Sequence, residues 1–138
     1  LVSYGEAFTV QPFGNSLVVM TLTGAQIDTL LEQQFVMGKD PYILQVSEGF
    51  TFAYSLSAPI GSKVDPASTK LNGVKIDLAK KYRVTVNSFM AAGGDGFAVL
   101  VDGSDRLGGA NDMDALEDYF AANSPVSPPA LDRITKLP

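Results

Sequence analysis

At 138 residues, with 46% hydrophobic and 18% charged residues, the chain suits one globular domain able to bury roughly two thirds of its unfolded surface. A net charge of −5 excludes the Lys/Arg face that a nucleic-acid polymer requires, and apolar runs of only a few residues exclude membrane insertion. With no Cys and no His, the chain has no disulfide, thiolate nucleophile, Ser–His pair or ordinary zinc site; any metal would need oxygen ligands alone. The chain begins on Leu1 rather than Met. The expectation is a piece cut from a longer protein, so a missing leader says nothing about secretion.

In chain order, residues 6–10 predict a short helix stopped by Pro12. Residues 16–22 read as a strand through Val18 and Val19. Thr23-Gly24-Ala25-Gln26 has capping-box spacing, and Ile27, Leu30, Leu31 and Phe35 follow as one apolar stripe. Gly38 is expected to end that helix. Residues 43–46 predict a short strand, and Phe50, Phe52, Tyr54 and Leu56 alternate with polar or small residues as a half-buried strand does. Leu71-Asn72-Gly73-Val74 predicts a tight hairpin. Tyr82, Val84 and Val86 mark a further strand, and the apolar run 97–101 predicts a buried one. Asp112 or Asp114 is expected to cap a last helix buried through Met113, Leu116 and Phe120. A Pro-rich linker over 123–129 precedes an edge strand over 133–137. Helices and strands mix without βαβ alternation, so the class is α+β: a single domain with a mixed sheet and flanking helices.

Two segments carry residue types suited to a planar ligand. Pro12-Phe13-Gly14-Asn15 and the glycine-rich stretch from Asn87 through Phe97 each place a Phe beside Gly and a polar amide or carboxylate. Rings in loops stack on bases, Asn offers donors and an acceptor to a base edge, and Asp offers paired acceptors to sugar hydroxyls. The plainer alternative is that both rings are core and that Asp95-Gly96 is a hairpin turn. Asp102, Asp105, Asn111, Asp112 and Asp114 lack the order of a calcium loop and read as caps and solubilising charges. The serines have no base partner.

The order Phe13-Gly14-Asn15, Leu22-Thr23-Gly24, Leu31-Glu32, Leu44-Gln45-Val46-Ser47, Asn87-Ser88-Phe89 and Gly93-Gly94-Asp95-Gly96-Phe97 resembles the C-terminal domain of the 5'-nucleotidase family. The resemblance covers nearly the whole chain. It implies substrate binding by Phe13 and Phe89 as two stacking rings, with Asn15 at the base edge. Asp95 would accept from the ribose hydroxyls, and Gly94 would let the backbone approach the sugar. Residues 38–42 would form one wall. The domain implied is 1–122, with 123–138 as tail.

The resemblance also implies what lies elsewhere. A separate N-terminal metallophosphoesterase domain would hold two divalent metals and hydrolyse a nucleoside 5'-monophosphate or a related nucleotide. This chain would hold no metal or other cofactor and be inactive alone. Arg83, Arg106 and Arg133 match none of the family's phosphate-binding arginines. The parent would be extracellular, at the cell surface or periplasmic. Relatives acting on 2',3'-cyclic nucleotides stack more often with Tyr, so the Phe pair favours 5'-nucleotidase over that alternative. A non-catalytic surface module is the reading from another class.

Overall fold

The computed structural model describes residues 2–35 and 40–138. Helix α1 (Tyr4–Val10) opens with a capping box: Ser3 receives the Glu6 amide and Glu6 reaches back to Ser3. The Ser3 backbone amide, and next the Ser3 hydroxyl, hold the Glu6 carboxyl below its ordinary pKa. That contribution is present above the ordinary carboxylate range and fades as pH falls through the lowered value.

Strand β1 (Ser16–Thr23) runs straight into helix α2 (Gly24–Gln33). Thr23 and Gln26 form the second capping box, 2.8 Å from the Thr23 amide to Gln26 Oε1 and 3.2 Å from the Gln26 amide to Thr23 Oγ1. Gly24 sits there because a Cβ would come within 2.1 Å of the Asp77 carbonyl oxygen. The stripe Ile27, Leu30, Leu31 and Phe35 packs into one core with Met20, Leu22, Phe52 and Leu100. Thr23→Ala is expected to remove about 1 kcal/mol of stability, read as a lower urea midpoint. An unchanged midpoint would mean that the tertiary contacts of Gly24 alone start the helix.

The helix ends at Gln33; Gly38, expected to stop it, lies outside the described residues. Strands β2 (Phe50–Ser55), β3 (Lys70–Leu71), β4 (Val74–Lys75) and β5 (Lys81–Asn87) follow. The β3–β4 turn carries Asn72 and Gly73 with φ of 50° and 77°, the left-handed pair that a tight hairpin needs. Helix α3 (Ser88–Ala91), two 3₁₀ turns (Gly94–Gly96 and Ala98–Asp102), β6 (Ser104–Asn111), α4 (Asp112–Asn123) and β7 (Ile134–Leu137) complete the chain. One sheet is antiparallel in the order β5-β1-β6. The other runs β4-β3-β2-β7, with β7 parallel to β2. The class is α+β.

Several expectations are corrected. Leu56, expected in the strand with Phe50, Phe52 and Tyr54, lies past its end and is exposed, and in α4 Met113 is buried while Leu116 and Phe120 are only partly covered. Residues 43–46 form no strand, because side chains take their backbone groups: the Leu44 amide donates to Gln34 Oε1 at 2.6 Å, and Arg133 donates to the Val46 carbonyl at 2.9 Å. The apolar run 97–101 is a 3₁₀ turn, closed by the Leu100 amide on the Phe97 carbonyl and the Gly103 amide on the Leu100 carbonyl. It buries Phe97, Val99 and Leu100 but exposes Ala98 and Val101, and positive φ at Gly93, Asp95 and Gly96 coils the chain before it can extend. The cap of α4 is Asn111, whose side chain accepts from the Met113 amide, and neither Asp112 nor Asp114.

Candidate functional site

The register of the antiparallel sheet decides what meets at one end. Leu17 stands opposite Asn87 and Ser16 opposite Asn111, so residues before β1, after β5 and after β6 converge. Asn15, Ser88 and Asp112 join there. The Asn15 amide donates to Asp112 Oδ2 at 3.2 Å, and the Asp112 amide donates to the Asn15 carbonyl at 2.8 Å. The Ser88 hydroxyl donates to Asn15 Oδ1 at 3.2 Å and accepts the Ser16 amide at 3.2 Å. Asp112 is buried and holds the Met113 amide with its other oxygen.

Phe13 and Phe89 lie on the two chain segments that this knot ties together. Both are out of the core, 75% and 52% exposed. Rings that far into water gain little from folding, and these two lie on adjoining segments. Phe89 is carried on α3, which starts because Asn87 Oδ1 accepts the Met90 amide at 2.8 Å.

Behind that ring lies Gly94. A Cβ there would come within 2.6 Å of Phe89 Cδ1, Cε1 and O, so the ring rests directly on glycine backbone. The loop continues through Asp95, at φ 54° and ψ 24°, a left-handed conformation that aspartate tolerates better than most residues. Arg106 fastens the far side of the loop: Nη2 donates to the Ala91 carbonyl at 3.0 Å and also to that of Leu100, and Nε donates to Gly103 at 3.1 Å. Tyr42, from the expected wall, sets its ring edge-on to Phe97 at 6.4 Å, while Gly38 is outside the described residues.

Sequence reasoning gave Ser88 no role and treated Asp112 as a cap and Arg106 as unassigned. Their partners are fixed by strand register, which no local pattern carries. Two grooves lie away from the five predicted residues. One, about 330 Å³, runs between α1 and α4 past Tyr4, Ala7, Met113 and Phe120; the other, about 260 Å³, lies between Ile43, Val46, Leu131 and Arg133. Among the described residues no group of three or more Asp or Glu could hold a metal ion, and no helix is long and apolar enough to cross a membrane.

Residues 1–102 match a family profile described as "5'-nucleotidase, C-terminal domain". A 5'-nucleotidase-related protein of Glossina morsitans morsitans is 32% identical over 97% of this chain and 26% of its own length. A cell wall protein of Listeria monocytogenes is 38% identical over 72% of the chain and 12% of its length. The crystal structure of a 5'-nucleotidase precursor from Thermus thermophilus superimposes with a TM-score of 0.84 at 37% identity, covering 99% of this chain and 28% of that one. The chain thus spans about a quarter or less of the curated relatives it matches.

Proposed function

This chain belongs to the 5'-nucleotidase family as its C-terminal domain, and from that premise we propose that it recognises the nucleoside part of a nucleotide. The base stacks between Phe13 and Phe89, Asn15 meets the base edge, and Asp95 accepts from the ribose hydroxyls beside Gly94. The observation that carries this reading is the pair of solvent-exposed Phe rings on segments joined through Asn15 and Ser88. In the longer protein a separate N-terminal domain with two divalent metals hydrolyses the phosphate ester. The residues present here do not fit that chemistry, since the chain has no His and its described residues offer no acidic cluster. The names of the Listeria and Thermus relatives, a cell wall protein and a precursor, support a parent that is secreted or held at the surface.

Isolated binding is weak. Two stacking contacts of about 1–3 kcal/mol each, less the cost of immobilising the ligand, give roughly millimolar affinity at best. Titrating adenosine into the 138-residue chain by NMR should shift amides around Phe13, Phe89 and Asp95 first. Asp95→Ala should chiefly erase the preference for adenosine over 2'-deoxyadenosine, because the carboxylate addresses hydroxyls while stacking ignores the sugar. Shifts centred on residues 102–114 instead would place the ligand elsewhere and end the proposal.

A further inference from the structure

Ser88 makes two hydrogen bonds that tie the Phe89-bearing segment to the chain following Phe13, and neither stacking nor sugar binding uses it. Its hydroxyl is committed twice. It accepts the Ser16 amide at 3.2 Å and gives its one proton to Asn15 Oδ1 at 3.2 Å. The Asn15 backbone is fixed independently by Asp112, which receives the Asn15 amide and returns its own amide to the Asn15 carbonyl. A carboxamide offers an oxygen on one prong and an NH₂ on the other, and the two are nearly the same shape. Whichever prong faces Ser88, the opposite one is presented elsewhere.

We propose that Ser88 is a positioning residue that sets the rotation of the Asn15 carboxamide, so that the site offers the base a hydrogen-bond donor and selects bases with an acceptor at that edge. This rests on the Phe13–Phe89 stacking reading and adds its polarity. Without the Ser88 hydroxyl, the carboxamide turns over freely and serves donor and acceptor edges alike. Unlike the stacking rings, Ser88 need not touch the ligand.

Adenosine and its 1-deaza, 3-deaza and 7-deaza analogues test it, because each analogue replaces one ring acceptor with C–H and leaves a ring that still stacks. With the wild-type chain, one analogue should bind about tenfold more weakly than adenosine, the loss expected when a partly desolvated donor loses its acceptor. Ser88→Ala should reduce that ratio to about twofold or less, and Ser88→Thr, which keeps the hydroxyl, should restore it. Asn15→Asp supplies a check that spares Ser88: replacing the NH₂ by oxygen should also abolish the discrimination. A ratio that survives Ser88→Ala or Asn15→Asp overturns the proposal, and so does equal weakening of all four ligands by Ser88→Ala. Equal binding of the four ligands to the wild type, with shifts still at Phe13 and Phe89, sinks the orientation and leaves stacking intact. If adenosine shifts neither ring's neighbours, both fail.

Discussion

Phe97→Ala should lower the stability of the fold by about 3–5 kcal/mol, the cost of emptying a fully enclosed aromatic site. Phe97 has no exposed surface, packs in one cluster with Leu100 and Ala91, and meets the Tyr42 ring edge-on. The loss includes the transfer of the ring and the cavity left behind, because the 3₁₀ turns on either side cannot collapse without breaking their closing bonds. Small domains commonly hold about 5–15 kcal/mol in all, so a fifth or more of the total is at stake. In urea, at about 1–3 kcal/mol per molar for a domain of this size, the midpoint should fall by about 2 M. A fall worth less than about 1 kcal/mol would mean that Phe97 is not a pillar of the core. Loop 93–96 ends on this residue, so the variant should also blunt the adenosine shifts around Asp95.

Phe89→Ala should do the opposite: weaken adenosine about fivefold or more while leaving stability within about 1 kcal/mol of the parent. Half of the ring is in water, so its removal forfeits little burial, and alanine suits a helix at least as well as Phe. The binding loss is one stacking face, about 1–3 kcal/mol, which corresponds to roughly fivefold to a hundredfold in affinity. Phe89→Tyr keeps the face and should keep most of the affinity. Paired urea melts and NMR titrations of these variants separate the two Phe residues that flank Gly93-Gly94-Asp95-Gly96. Were Phe89→Ala to destabilise the fold as much as Phe97→Ala, its ring would be structural.

What was legible in the sequence was whatever local pattern dictates. Thr23-x-x-Gln26 announced α2, the alternation around Val84 announced β5, and Asn72-Gly73 announced the β3–β4 turn. Strand β6 was not announced. Its sequence, Ser-Asp-Arg-Leu-Gly-Gly-Ala-Asn, is polar and glycine-rich, and it is a strand because β1 supplies a ladder beside it. The run 97–101 misled for the reverse reason: a wholly apolar run has no period, and the glycines before it decide its path. For the site, residue types and family order named Phe13, Asn15, Phe89, Gly94 and Asp95. The part played by Ser88 and Asp112 depends on which residue faces which across β1, information that no single segment contains.

The position of β1 between β5 and β6 has a kinetic consequence. The middle strand cannot be paired on both sides until the chain from residue 16 to residue 111 has been gathered. Ser88 meets Asn15 across 73 residues of sequence, so no early local structure brings the two ring-bearing segments together. During refolding from urea, the ability to bind adenosine should return in the same phase in which the β1 amides become protected from exchange, with helix signal recovering no later. The ligand then acts as a stopwatch for closure of the sheet.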